Sequence, residues 1–125
     1  MEGANRSLEI AERYAVFEEA VGKNDLDCLL SEFYSEDVVF LGTGIPLSQG
    51  TSVKEILGGL CGAAMSVRVE QLATLEVDPG KVLIDFAIVH VDTTDGTSIR
   101  DRSTCVFHKR ENGWRCVTDV VVREG

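Results

Sequence analysis

From Ser66 onward the apolar residues of this chain recur with a period of two, and three turn dipeptides divide that half into four runs. The dipeptides are Pro79-Gly80, Asp95-Gly96 and Asn112-Gly113, and the runs between them read as SVRVEQLATLEV, KVLIDFAIVHVD, SIRDRSTCVFHKR and WRCVTDVVV. Strict alternation is the mark of strands with one buried and one freer face. Four such strands joined by short turns make an antiparallel meander, and the rest of the chain must cover one side of it.

Two-residue loops at the three turns set the register, and a slip of one residue would turn every side chain over. In this register one face collects Val69, Ala73, Leu75, Ile84, Phe86, Ile88, Cys105, Phe107, Trp114 and Cys116. The other collects Asp85, Val89, Val91, Arg100, Arg102, Val117, Asp119 and Val121. The first is the face the helices are expected to cover. On it His90 lies opposite Asp101, with Ser103 one step along and Gln71 on a neighbouring strand. Polar groups on a covered face need partners or water, so these four mark either the polar end of a pocket or a solvated cross-strand pair near the sheet rim. On the second face Val89, Val91, Val117 and Val121 form an apolar patch with a charged rim, suited to a homodimer through the outer sheet face.

The N-terminal half supplies the cover. Ile10, Tyr14, Phe17 and Val21 fall on one side of a helix from about Ser7, with Gly22 as its terminating residue. Asn24 reads as the N-cap of a second helix carrying Leu26, Leu29, Leu30 and Phe33. DVVFLG then makes a short buried strand that includes Phe40, and GTGIP ends it in a loop. Ser52 and Glu55 have capping-box spacing at the start of a third helix with Val53, Ile56, Leu57 and Leu60.

At 125 residues and 44% hydrophobic content the chain reads as a single domain, residues 1–125. A net charge of −9 argues against nucleic acid, whose phosphates it would repel. Cys28, Cys61, Cys105 and Cys116 show no C-x-x-C spacing and no paired histidines, so neither a metal site nor a disulfide framework is expected. MEGANRSLEI has neither the basic start nor the apolar stretch of a signal peptide, and no apolar run is long enough to span a membrane. A cytoplasmic protein without membrane partner or cofactor is the expectation.

The order helix, helix, short strand, helix, long meander resembles the cone-shaped α+β fold of the NTF2-like (cystatin-like) superfamily, three N-terminal helices packed on a curved, mostly antiparallel sheet. YSEDVVFLGTGIPLSQG is similar to the Tyr-x-x-Asp-Ala-x-Phe segment of its SnoaL-like members. CVFHKRENGWRCV is similar to their penultimate hairpin and to that of the association domains of calmodulin-dependent kinases. The resemblance covers almost the whole chain. Compared with ketosteroid isomerases it puts Tyr14 at the oxyanion-hole tyrosine, Gly42 at the general-base aspartate and Ser103 at the second oxyanion acid. It puts Cys105 at the pocket arginine of the association domains. An isomerase of that kind needs the missing carboxylate.

Three readings follow. In the first, a pocket between helices and sheet binds a small apolar or carbonyl-containing molecule, lined by Phe17, Phe40, Gln71, Ser103 and Trp114. In the second, a lyase, isomerase or cyclase uses His90 as base, Asp101 to orient it and Tyr14 as oxyanion donor. In the third, a dimeric interaction module works without a ligand. Trp114 and Tyr14 have alternative uses in core packing.

Overall fold

The computed structural model describes residues 5–124. The elements run α1 (Leu8–Gly22), α2 (Leu26–Cys28), a π-helical turn (Leu29–Phe33), β1 (Tyr34–Gly42), β2 (Ile45–Ser48), α3 (Thr51–Ala63), β3 (Ala64–Asp78), β4 (Val82–Thr93), β5 (Ser98–Arg110) and β6 (Gly113–Arg123). The six strands form one sheet in the order β2-β1-β6-β5-β4-β3, antiparallel throughout except where β1 lies parallel to β6.

Helix α1 forms as its stripe requires. Ser7 caps it by accepting from the Ile10 amide, and Ile10, Tyr14, Phe17, Ala20 and Val21 are buried. The three helices are unequal. Asn24 takes a left-handed φ of 53° and is not a cap; Asp25 caps instead, accepting from the Cys28 amide at 3.0 Å. The second helix is only three residues long before it widens into the π turn, which directs Leu29 and Phe33 inward. Helix α3 follows the first hairpin with Gly50 (φ 60°) at its N-cap position, without the expected Ser52–Glu55 box. The GTGIP segment does not remain a loop. Thr43-Gly44 forms a tight turn, and Ile45–Ser48 returns as β2.

The meander exists, but its faces differ from the expected ones at three places, each a local irregularity. Between β4 and β5 the last ladder pair is Asp92↔Ser98, so five residues lie between the last partners. Thr93 and Asp95 hold it: the Thr97 amide donates to Thr93 Oγ1 and Asp95 Oδ1, and the Thr93 amide donates to the Thr97 carbonyl. That shifts the register by one, so His90 meets Arg100, and Asp101 meets Val89. Within β3 a bulge at Leu72 leaves Val69, Gln71 and Thr74 inward but turns Ala73 and Leu75 outward. Within β6 a bulge at Val117 keeps Trp114 and Cys116 inward and brings Asp119, Val121 and Arg123 inward as well.

The expected covered face is therefore wrong for β4. Leu83, Asp85, Ala87, Val89 and Val91 face the helices, and Phe86 faces outward, 39% exposed. Phe107, Cys105, Trp114 and Cys116 are buried as expected. The core gathers around Phe33, whose ring lies 4.8 Å from Tyr34, 5.1 Å from Phe17, 5.7 Å from Phe107 and 6.0 Å from Tyr14. No helix among the described residues is long and apolar enough to cross a membrane.

Candidate functional site

A cavity of about 260 Å³ lies between α3 and the inner face of the sheet. Ile56, Leu57 and Leu60 of α3 and Phe17 of α1 form its roof, and Val89, Val91 and Val121 its apolar floor. The volume falls just below the ~300 Å³ at which pockets begin to hold drug-sized molecules, so it suits a single ring or a short chain.

Tyr34, Ser103 and Asp119 form one polar group in the cavity wall. Asp119 is 5% exposed, and its carboxylate accepts from Tyr34 Oη at 2.7 Å and from Ser103 Oγ at 3.1 Å. Burial pushes the Asp119 carboxyl above the usual carboxylate range, while the hydroxyls it accepts from pull it back. Burial likewise holds the Tyr34 proton on, aided by the nearby Asp119 charge. The group is a carboxyl with a raised pKa, fixed by two donors at the edge of an apolar space. Such a carboxyl can hydrogen-bond an oxygen of a bound molecule or exchange a proton with it.

A second polar pair lies at the other end of the same strands. Asp101 and Arg123 pair across β5 and β6, with Arg123 Nε donating to Asp101 Oδ1 at 2.6 Å. The Arg123 amide donates to Thr43 Oγ1, tying β6 to the β1–β2 turn.

Of the expected site residues, Phe17, Phe40, Ser103 and Asp101 line this cavity. His90 does not: it lies on the outer face, where its Nε2 is 3.1 Å from Glu70 Oε1. His90 and Asp101 are therefore on opposite sides of the sheet, and the expected base–orienter pair does not form, because of the one-residue shift at the Asp95-Gly96 loop. Tyr14 and Gln71 also fall outside the cavity lining; both donate to Asp85, at 2.7 and 2.9 Å. Thr74 Oγ1 is the third donor to this carboxylate, which is 0% exposed. Trp114 lies outside the cavity lining, its Nε1 donating to Glu9 Oε2 at 3.0 Å. Gly42, where an isomerase would carry its base, has no room for one. A Cβ there would meet the Val121 carbonyl oxygen at 2.5 Å, because β1 and β6 approach closely at that point.

Sequence reasoning missed Asp119, Tyr34 and Asp85. One signal was available: both acids interrupt apolar runs, as in VLIDFAI and CVTDVVV, where an isolated carboxylate implies buried partners.

Among the described residues, one group has metal-ligand atoms close together. Cys105 Sγ, Cys116 Sγ and an Asp119 oxygen lie within 4.8 Å of one another. These atoms already have protein partners. Cys105 contacts Ser103 Oγ, Cys116 donates to the Thr118 carbonyl, and Asp119 holds its two hydroxyls. A hydrogen bond with Cys116, then burial, raises the Cys105 pKa, and burial raises that of Cys116, so both are neutral thiols.

No family model matches the chain, and no curated protein matches it in sequence. Its likeness is to solved structures. It is similar to a ketosteroid isomerase-like protein from Erwinia carotovora atroseptica, at 14% identity over 93% of this chain and 94% of that one, with a TM-score of 0.75. It is similar to an NTF-2 like protein of unknown function from Shewanella oneidensis, at 11% identity over 91% and 96%, with a TM-score of 0.76. It is also similar to a candidate calcium/calmodulin-dependent protein kinase type II association domain from Thiobacillus denitrificans. There the identity is 20% over 99% of this chain and 100% of that one, and the TM-score is 0.72. At these identities the likeness establishes the fold: the chain has the NTF2-like fold.

Proposed function

We propose that the cavity binds a small, mostly apolar molecule carrying a carbonyl or hydroxyl oxygen, and that Asp119, positioned by Tyr34 and Ser103, is the group that meets that oxygen or moves a proton next to it. The observation that carries this reading is a buried, raised-pKa carboxyl in the wall of an otherwise apolar 260 Å³ space. The neighbours' isomerase-like name agrees with carbonyl chemistry. Asp119 takes the role expected of His90 because it shares the cavity with Phe17, Phe40 and Ser103. Four free cysteines suit a reducing, cytoplasmic setting.

The test uses cyclohex-2-enone as probe, read by thermal shift and by deuterium uptake at its acidic carbons in heavy water. A ligand held only by the folded state adds about 2.7 kcal/mol at one hundred times its Kd, so binding raises the melting temperature. Asp119→Asn should keep binding within about tenfold and slow protein-dependent exchange by roughly 10²–10⁴-fold, the usual contribution of a positioned acid–base group. Binding with no exchange removes the proton-transfer role and leaves a binding protein. No binding by this or any other small cyclic ketone or phenol removes the reading.

We also propose a homodimer through the outer sheet face, on residues other than those first expected. Val89, Val91 and Val121 face the cavity. The exposed apolar patch is instead Leu75 (53% exposed) and Phe86, beside Ile84 and the Leu72 bulge. Ile88 on the same face is already buried, yet lies outside the main core. Phe86→Asp should convert a dimer to a monomer in sedimentation equilibrium, since a charge facing its own copy is desolvated without a partner. A wild-type protein that sediments as a monomer overturns the dimer.

A further inference from the structure

The polar groups of the cavity are separated along one strand, and that separation carries information about the ligand. Asp119 and Arg123 lie on the same face of β6, four residues apart, roughly 13 Å at the strand rise of about 3.3 Å per residue. Between them on β6 lies Val121, with Ser103 beside it on β5, its hydroxyl turned to Asp119, and Leu60 of α3 in the facing wall. Arg123 uses only Nε on Asp101; neither Nη nitrogen makes a hydrogen bond among the described residues. Its side chain is half exposed while that of Asp101 is 14% exposed. The guanidinium thus stands at the solvent end of the cavity with donors free, anchored by a carboxylate from the neighbouring strand.

We infer that Arg123 selects ligands bearing a carboxylate, so that the cavity takes an amphipathic acid: a carboxylate at Arg123, a flat or slender hydrocarbon body, and an uncharged oxygen at Asp119. The inference rests on the small-molecule reading of this cavity. Three features favour it. A guanidinium presents parallel N–H groups that match a planar carboxylate two to two, which a neutral carbonyl cannot do. The chain carries a net charge of −9, so an anionic ligand meets general repulsion and needs a dedicated cation at the entrance. At the inner end, the raised pKa of Asp119 favours a neutral carboxyl that does not repel an acid. Asp101 is then a built-in competitor: it holds Arg123 in place and must share it with the incoming carboxylate.

The experiment compares 3-(4-hydroxyphenyl)propionate with its methyl ester by calorimetry on the full chain. The acid should bind at least about tenfold more tightly than the ester, the difference between a charge-assisted and a neutral hydrogen-bonded pair. Arg123→Met should abolish that preference. Asp101→Asn should strengthen acid binding, because the competing charge is gone while the amide oxygen still accepts from Nε. Since Arg123→Met leaves Asp101 without its cation, the double variant D101N/R123M serves as the second measurement and should behave as R123M does. Equal affinities for acid and ester in the wild type overturn the inference, as does a preference that survives both R123M and the double variant. If cyclohex-2-enone binds and both propionate compounds do not, the acid preference fails and the cavity reading stands. If none of the three binds, both fall together.

Discussion

Replacing Asp85 by Ala is expected to cost about 3–5 kcal/mol of folding stability, the upper tail of single-substitution losses, reached when a buried hydrogen-bond network is broken. Asp85 is 0% exposed and accepts from Tyr14 Oη, Gln71 Nε2 and Thr74 Oγ1. Truncation would leave Tyr14 Oη and Thr74 Oγ1 without their acceptor in the interior and take one of the acceptors of Gln71 Nε2, and each buried orphan costs about 1–3 kcal/mol. The loss would spread, because Thr74 Oγ1 also accepts from the Ser7 amide and Gln71 Nε2 donates to the Ser7 carbonyl. The network therefore holds the first turn of α1 to β3. Urea unfolding of D85A against wild type measures the effect; a change below about 1 kcal/mol, the size of a single ordinary hydrogen bond, would show that the network carries little.

The same residue has a pH signature. Burial raises the Asp85 pKa above its ordinary value, more than its three hydrogen bonds lower it. A carboxyl with a raised folded-state pKa keeps its proton longer in the native state than in the unfolded chain. Its contribution to stability is therefore greatest below the unfolded-state value and is lost as pH rises through the folded-state value. Asp85→Asn has no such titration. The stability of wild type relative to D85N should thus rise as pH falls from neutral toward about 4, the ordinary carboxylate range. A difference that stays flat over that interval would mean that Asp85 is ionised alike in both states.

Phe33→Ala is expected to cost a comparable 3–5 kcal/mol, the usual loss for a buried phenylalanine whose surroundings only partly collapse. Phe33 is 1% exposed and sits among the rings of Tyr14, Phe17, Tyr34 and Phe107, the last two in edge-on contact. Its contact with Tyr34, at 4.8 Å and 78°, also orients the phenol that donates to Asp119. Ligand affinity should therefore fall together with stability in F33A. Phe33→Leu, which fills most of the volume, should recover much of the stability but less of the affinity. Denaturant unfolding and binding of cyclohex-2-enone on both variants separate these effects. Equal recovery of the two would show that ring orientation at Tyr34 does not matter.

These residues show why part of the molecule was readable and part was not. The α1 stripe of Ile10, Tyr14, Phe17 and Val21 was legible because helix periodicity is a local property, and all four are buried. Phe107, Trp114 and Cys116 were placed correctly because the hairpin before Trp114 has the parity its turn residues imply. The faces of β4 and the end of β6 were not legible. The loop held by Thr93 and Asp95 reverses the faces of β4 relative to β5, and single-residue bulges at Leu72 and Val117 each exchange inside for outside along the rest of their own strand.

Period, turn chemistry and helix stripe were enough to specify the α+β architecture and its covered sheet, since each depends on residues within a few positions of one another. The identity of the acid in the cavity depended on long-range pairing. The choice among His90, Asp101, Asp85 and Asp119 rests on how the Thr93–Thr97 loop and the bulges at Leu72 and Val117 set the pairing of neighbouring strands. A shift of one residue costs little locally but moves a carboxylate from solvent to the interior.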